Sequence, residues 1–439
     1  MGLYFGTDGL RGVVNEELTF DIAYKVGNAI ASIADAPRVI VGRDTRTTGE
    51  YLTVGLAGGV MSGGGSVTDL GVIPTSGVAY LARELSADFG VVISASHNST
   101  EYNGIKVFDK RGYKLSDREE ERLERCFIRH RIGDFSQIGH FKVAPECCVR
   151  YEDFLVRAAK NSLKGLTVAL DCANGAAYRI APSVFGRLGA SVVATADSDD
   201  GMHINDGCGA LYPENLARRM GGLRADIGFS FDGDADRLIA VSPDGRVIDG
   251  DAVLYMLALH LKREGRLRES SVVGTSHTNM AVERALASEG ISLLRTDIGD
   301  KYVLARLVER GLSLGGEQSG HIILRDMHTT GDGILTAVVL SDMLISSGGD
   351  FSVLDGLKLY PQTNLGVTVE DKMRIMNSQT LAAELARVTS ALDGIGRVLL
   401  RASGTEPKIR IMVESEDADL NERYASELKA VVLACDKGG

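Results

Sequence analysis

The sequence predicts an α/β protein made of three similar mixed α/β domains and a smaller C-terminal α+β domain. Three observations support this class. One phrase, an apolar strand, a polar loop, a helix, a Gly-marked turn and a second strand, occurs three times. The chain after position 361 follows a different pattern, and 439 residues are too many for a single compact core.

The first phrase, PRVIVGRDTRTTGEYLTVGLAGGVMSGGGSV, starts near Arg38, with a strand over Val39 to Val41 and a helix that ends at Gly63. FGVVISASHN then supplies another strand, Phe89 to Ile93, which breaks into a polar loop. In KLSDREEERLERCF, Ser116 and Glu119 make a capping-box pair before a charged helix that closes the first domain. The second phrase begins at Leu166, with a strand over Thr167 to Ala169 and a helix ending at Gly189. The third begins at Ser271, with a strand at Val272 to Val273 and a helix ending at Gly290. The last part holds a helix around Leu381 to Ser390, the strand-loop-strand GRVLLRASGTEPKIRIMVES and an amphipathic helix from Asn421 to Cys435. Domains are expected at 1–148, 149–250, 251–361 and 362–439.

Composition limits the partners. A net charge of -11 speaks against nucleic acid or an anionic membrane, either of which needs a basic face, while leaving room for a local cationic pocket. The six cysteines lack CxxC spacing, which points to reduced thiols in a cytoplasmic protein. Residues 1 to 30 show no secretory pattern and no run reaches the ~18 apolar residues of a membrane span, so the expectation is a soluble, unexported chain. The 52 glycines predict many backbone-lined loops.

The chemistry is concentrated in a few loops. FDGDADR, Phe231 to Arg237, places Asp232, Asp234 and Asp236 at alternate positions directly after a strand. Like charges so close need a cation, and oxygen-only ligands suit Mg2+ or Ca2+ rather than zinc. An EF-hand loop fails, because its sixth position would be Gly and is Arg237, and its twelfth would be Glu and is Pro243. Arg237 beside the carboxylates suits a bridging phosphate. SASHN exposes Ser96, His97 and Asn98 at the carboxyl end of a strand, and Ser96 is the candidate nucleophile. No Asp-His relay is readable. A phosphoryl group on Ser96 would supply the further metal ligand, steadied by Lys106 and Arg11.

FGTDGLRG, Phe5 to Gly12, can curl around an anion with Arg11 as its charge. RASGTEPKIR sets Ser403, Gly404 and Thr405 between Arg401 and Arg410, a phosphate grip without Walker spacing. GGEQSGHIIL brings Glu317, Gln318, Ser319 and His321 ahead of a strand. Glu317 and Ser319 suit sugar hydroxyls, and His321 suits either a phosphate contact or general acid/base work. Asp300 and Lys301 in RTDIGDKYV are further acid/base or phosphate candidates, and charge alone assigns neither.

FGTDGLRG, SASHN with NGIK, DGDADR, GEQSGH and RASGTEP, in this order over nearly the whole chain, resemble the α-D-phosphohexomutase superfamily and, within it, the bacterial phosphoglucosamine mutases. The resemblance implies three similar α/β domains and a fourth resembling the TATA-binding-protein fold, around a central cleft. It implies phosphoserine at Ser96, one Mg2+ on that phosphate and on Asp232, Asp234 and Asp236, and Arg237 on the same phosphate. The loop of Glu317, Gln318, Ser319 and His321 would read the sugar, with Gln318 as the mark of glucosamine preference. Arg401, Ser403, Gly404, Thr405 and Arg410 would hold the phosphate that is not transferred. The implied reaction converts glucosamine 6-phosphate to glucosamine 1-phosphate through a hexose 1,6-bisphosphate, toward UDP-N-acetylglucosamine, and the family's habit is a homodimer. Rivals are a phosphomannomutase/phosphoglucomutase, a sugar-phosphate-binding protein without turnover and a metal-dependent phosphatase. Departures from the family's pattern are Ser99 where Pro is usual, Ala210, Leu211 and Tyr212 where Ser-Thr-His is common, and Lys301 for a frequent Arg.

Overall fold

The structure is a computed structural model that describes residues 6, 9–127, 132–349, 351–403 and 406–437. The chain forms two compact units, one of Met1–His277 with Ile291–Val353 and the other of Thr278–Gly290 with Leu354–Gly439.

The first unit holds three sheets. The six-stranded sheet runs in the order Leu10–Val13, Tyr102–Asp109, Phe89–Ile93, Arg38–Arg43, Ser66–Val72, Phe141–Val143. The second runs Val247–Ile248, Leu238–Val241, Ile227–Phe231, Thr167–Asp171, Ser191–Thr195, and the third Ser292–Thr296, Ser271–Thr275, Leu314–Gly316, Ile322–Leu324. One four-strand arrangement is common to all three. A first strand lies between a second and a third, both parallel to it, and a fourth returns antiparallel beside the third. Parallel neighbours need crossover connections, which is why strand and helix patterns alternate along the sequence.

The three phrases of the sequence are the first strand, helix and second strand of each arrangement. The foreseen helices are Gly49–Ser62, Ala177–Arg187 and Met280–Ser288. Met280–Ser288 groups with the second unit, where the Met280 amide donates to Glu414 Oε1 at 2.9 Å and Arg284 to Tyr360 Oη at 2.6 Å. The charged helix Asp117–Cys126 starts with the expected capping box of Ser116 and Glu119, a device that contributes about 1 kcal/mol.

Val39, Val41, Val91, Ile93 and Ile105 of the first sheet are buried with Val26, Ile30, Leu52 and Leu56 of its helices. Each such side chain contributes roughly 1.5–3 kcal/mol by leaving water. Part of the glycine load serves close helix packing rather than loops. A Cβ on Gly27 would stand 2.0 Å from the Leu56 carbonyl oxygen of the neighbouring helix.

The second unit carries a three-stranded antiparallel sheet, Gln362–Thr368, Lys408–Ser415, Gly396–Ala402. Ile409, Ile411 and Val413 alternate into a core shared with Leu381 and Val388 of the helix Gln379–Ala391 and Leu428 and Val432 of the helix Ala418–Lys437. Both helices extend slightly beyond the ranges read from sequence. The six cysteines are free thiols. Among the described residues, no helix is long and apolar enough to cross a membrane.

Candidate active site

Each four-strand arrangement joins its third strand to its fourth through a loop at the third strand's carboxyl end. These loops are residues 94–101, 232–237 and 317–321, the stretches that carry SASHN, DGDADR and EQSGH. Three motifs that are remote in sequence are thus one structural position repeated.

In the second loop Ala235 takes a φ of 55°, and its amide closes the turn on the Asp232 carbonyl at 2.9 Å. Asp232, Asp234 and Asp236 converge, fully buried or nearly so, with one carboxylate oxygen from each lying within 4.8 Å of the others. Ser96, 1% exposed, donates from Oγ to Asp232 Oδ2 at 2.5 Å. Lys106 Nζ donates to Asp234 Oδ2 at 2.8 Å and stands 3.6 Å from Asp236 Oδ2. Thr75 Oγ1 also donates to Asp234 Oδ2, at 2.5 Å.

Burial, with Asp234 and Asp236 adding repulsion, pushes the Asp232 carboxyl well above the usual range. For Asp236 the same burial is outweighed by Lys106, His321 and Arg237, which hold it below that range. Asp234 Oδ1 and Asp236 Oδ1 are buried without a hydrogen-bond donor. Three hard oxygen donors, two of them orphaned, fit a divalent cation with oxygen preference.

The Ser96 loop is gripped from several sides. Ser96 itself has a φ of 53°, a left-handed conformation that costs an L residue about 1–2 kcal/mol. Its carbonyl accepts from Arg46 Nη2 at 3.0 Å and from Asn205 Nδ2 at 2.9 Å. Arg46 donates further to the carbonyls of Asn98, Ser99 and Tyr102, and through Nε to Asp44 Oδ2 at 3.0 Å. Ser94 Oγ donates to Asp44 Oδ2 at 2.5 Å and accepts the Ser96 amide at 2.9 Å. Burial pushes the Asp44 carboxyl up against the opposing pull of Arg46. Gly233 lets the two loops touch, since a Cβ there would lie 2.5 Å from the Ser96 carbonyl oxygen.

His97 Nδ1 is 3.3 Å from Ser96 Oγ. Burial, then Arg237 and Arg11, push its pKa down to about 4, so the ring is neutral at pH 7. Arg11 Nη1 donates to Asn98 Oδ1 at 3.2 Å, and the Arg237 amide donates to Asp232 Oδ1 at 3.1 Å.

The third loop brings His321 to the same cluster, with Nδ1 3.5 Å from Asp236 Oδ1 and Nε2 3.7 Å from Asp300 Oδ2. Burial disfavours the charged ring, but Asp236 and Asp300 more than offset it and raise the pKa. Asp300 accepts from Lys114 Nζ at 2.5 Å. Glu317 Oε1 accepts the Gly299 amide at 3.0 Å, and burial raises its carboxyl. Gln318 is tied inward by its carbonyl to the Gly250 amide at 3.0 Å and by its side chain to Asp249. Ser319 is exposed at the tip.

Among the departures, the carbonyl of Ser99 is pinned by Arg46 and by the Tyr102 amide, which replaces the constraint a proline would give. Lys301 is committed to Asp117 Oδ1 at 2.9 Å. Ala210 is half-buried, while Leu211 and Tyr212 are exposed.

In the second unit Arg401 and Arg410 are directly opposite on adjacent antiparallel strands and share a face of the sheet. Two cations so placed repel unless an anion lies between them. Glu406 offsets the charge of one of them, accepting from Arg410 and also from Lys408 at 2.5 Å each. Ser403 is buried, its Oγ accepts the Glu406 amide at 3.3 Å, and its carbonyl accepts from Lys372 Nζ at 2.6 Å. Gly404 and Thr405, like Phe5, Thr7 and Asp8, lie outside the described residues.

Sequence reasoning passed over Asp44, Arg46, Thr75, Lys114, Asn205 and Lys372. For Asp44 and Arg46 a signal existed, since GRDTR leaves a parallel strand at its carboxyl end, where such sheets place ligands. The others have no local signature.

The phosphoglucomutase/phosphomannomutase family matches the chain in four successive parts. Alpha/beta/alpha domains I, II and III match residues 2–131, 149–245 and 249–357, and the C-terminal domain matches 365–431. The phosphoglucosamine mutase of Clostridioides difficile (strain 630) is 44% identical over 443 residues, covering 98% of this chain and 99% of its own. That of Shouchella clausii (strain KSM-K16) is 43% identical with the same coverage. A phosphoglucomutase/phosphomannomutase family protein of Burkholderia thailandensis superposes with a TM-score of 0.83 at 26% identity, over 99% of this chain and 98% of that one. The N-acetylphosphoglucosamine mutase of Aspergillus fumigatus, solved with GlcNAc-6P and magnesium, shares the fold at a TM-score of 0.70 and 16% identity, over 99% and 96%. The chain belongs to the phosphoglucomutase/phosphomannomutase family and, within it, to the phosphoglucosamine mutases.

Proposed function

We propose that the chain interconverts glucosamine 6-phosphate and glucosamine 1-phosphate, with Ser96 as the hydroxyl that carries the phosphoryl group. One observation carries the reading: Ser96 Oγ, on one α/β arrangement, is hydrogen-bonded at 2.5 Å into the buried carboxylate cluster of another. A hydroxyl buried there meets the donors that a phosphate-bridged cation requires. The curated relatives of the same name and the GlcNAc-6P complex of the Aspergillus fumigatus enzyme support the same substrate class.

The group to be transferred starts as the ester of Ser96. The bond from its phosphorus to Oγ breaks, a bond to the sugar hydroxyl oxygen forms, and the sugar proton passes to a titratable group lining the site. The resulting hexose 1,6-bisphosphate turns. The bond from phosphorus to the sugar oxygen at its other end breaks, that phosphoryl group returns to Ser96 Oγ, the freed sugar oxygen takes back the proton, and the isomeric monophosphate leaves. Asp232, Asp234, Asp236 and Ser96 would hold Mg2+, which when bound neutralises charge on the phosphoryl oxygens.

Lys106, Arg11 and Arg237 supply fixed positive charge around the reacting phosphate, in a buried setting where charge acts strongly. Neutral His97 can hold a proton or a phosphate oxygen at Nδ1. His321, with its pKa kept up by Asp236 and Asp300, is suited to exchange the sugar proton. Glu317 and Ser319 bind sugar hydroxyls, and Gln318 shapes that loop through Asp249. Arg401, Ser403, Gly404, Thr405 and Arg410 bind the phosphate that stays in place, with Lys372 as a further cation.

Ser96→Ala is expected to abolish turnover in a coupled assay while leaving glucosamine 6-phosphate binding measurable by calorimetry. Full activity in that variant removes Ser96 from the mechanism. Parallel assays with glucose and mannose phosphates rank the sugars, and a clear preference for mannose would replace the glucosamine assignment.

A further inference from the structure

We propose that Arg46 is a positioning residue for phosphoryl transfer, holding the Ser96 loop in one geometry through both the ester and the free hydroxyl state. The inference rests on Ser96 being the phosphoryl carrier. All five N–H groups of the guanidinium find acceptors: Nε on Asp44, Nη1 on the carbonyls of Ser99 and Tyr102, and Nη2 on the carbonyls of Ser96 and Asn98. The side chain is completely shielded from solvent, as is its partner Asp44. Such saturation of one planar fork by three carbonyls of the loop and that of Tyr102, the first residue of the next strand, fixes the path of the backbone from the serine to that strand.

The grip matters because Ser96 is in the left-handed region, where a non-glycine residue relaxes unless its surroundings over-determine it. Arg46 and Asn205 restrain the Ser96 carbonyl, and Ser94, itself bonded to Asp44, restrains the Ser96 amide. Both ends of the strained residue thus lead to the Asp44–Arg46 pair. Within each catalytic cycle the charge on Ser96 disappears and returns, and a loop held only by its phosphate would shift each time. A loop held from behind by Arg46 keeps the Ser96 hydroxyl against Asp232, to which it donates at 2.5 Å. Arg46 bonds only to protein groups in this loop, to Tyr102 and to Asp44, so its part is geometric.

Arg46→Lys tests this. Lysine keeps the charge beside Asp44 but offers three N–H donors instead of five, too few to hold the same carbonyls. The expected result is a kcat lower by about 100-fold, the scale of loss from a misplacement near 1 Å, with KM for glucosamine 6-phosphate within about threefold of the parent. Amide hydrogen exchange across residues 94–103 rises, and the melting temperature falls by a few degrees because buried carbonyls lose donors. Ser94→Ala, which cuts the link from Asp44 to the Ser96 amide, should show the same split and serves if Arg46→Lys fails to fold. Turnover within threefold of the parent, or a rise of KM that matches the fall of kcat in the variants that fold, overturns the inference. Intact mass separates this from the reading beneath it. If the parent never carries an added phosphate of about 80 Da at Ser96, the proposed function fails. If it does and the variants turn over normally, only the role of Arg46 fails.

Discussion

At Gly233 the absence of a side chain is what allows the proposed phosphoryl carrier Ser96 and the carboxylate loop to share one site. The hydrogen a glycine presents toward the Ser96 carbonyl occupies a place where a Cβ would be 2.5 Å from that oxygen and 2.9 Å from Asn205 Nδ2. Both obstacles belong to groups fixed by hydrogen bonds, so neither can give way cheaply. Gly233→Ala is therefore expected to separate the Ser96 loop from Asp232 and to lower kcat by about 100-fold. Steady-state kinetics with magnesium titrated to saturation checks this, and near-parent turnover would mean that the loops need not touch. The motif DGDADR is legible in the sequence as a cation site. The reason its second residue is glycine becomes visible only once the neighbouring loop is in place.

At the scale of elements, the helix Gly333–Ser347 begins at Asp332, whose Oδ1 accepts the Leu335 amide and whose Oδ2 accepts Tyr151 Oη, both at 2.9 Å. Burial is the largest influence on this carboxyl and pushes its pKa up to about 6 from an ordinary 3.8. The folded chain therefore keeps a proton that the unfolded chain has already released. The favourable contribution is complete below pH 3.8 and is lost as pH rises through about 6, a change of about 3 kcal/mol. Asp332→Asn, which can still cap the helix, should flatten the fall of stability over that window. Urea midpoints of variant and parent between pH 4 and 7 measure it, and parallel curves would show that Asp332 ionises normally. This helix also marks a limit of sequence reading. It is buried along almost all its length, so the periodic contrast that betrays a half-exposed helix is absent. Asp117–Cys126 was legible for the opposite reason, because Ser116 and Glu119 form a purely local device. The edge strand Gln362–Thr368 has too little apolar alternation to be read from its sequence. Arg46 and Asn205 reach the Ser96 carbonyl from 50 and 109 residues away, and no local pattern encodes such a pairing.

Across the whole first unit, the site is assembled by repetition: the same loop of three like arrangements supplies a hydroxyl, three carboxylates and a histidine-bearing turn. None is a site alone. Their convergence concentrates negative charge in a dry place, with Lys106 bonded to one of the three carboxylates and Asp232 raised by burial and by its two neighbours. A divalent cation that binds only the folded arrangement should stabilise the unit by RT ln(1 + [L]/Kd), about 2.7 kcal/mol at a hundredfold excess over Kd. The expected outcome is a melting temperature that rises with magnesium and falls with EDTA. Asp232→Asn provides the discriminating arm, because it removes one of the crowded charges while an amide oxygen can still accept from Ser96. In EDTA this variant should melt no lower than the parent, since the repulsion it relieves is a cost of the metal-free state. With magnesium it should gain much less than the parent, since a ligand is lost. A variant weaker in EDTA yet equally responsive to magnesium would show that Asp232 serves only to anchor the loop, and that the cation is held elsewhere.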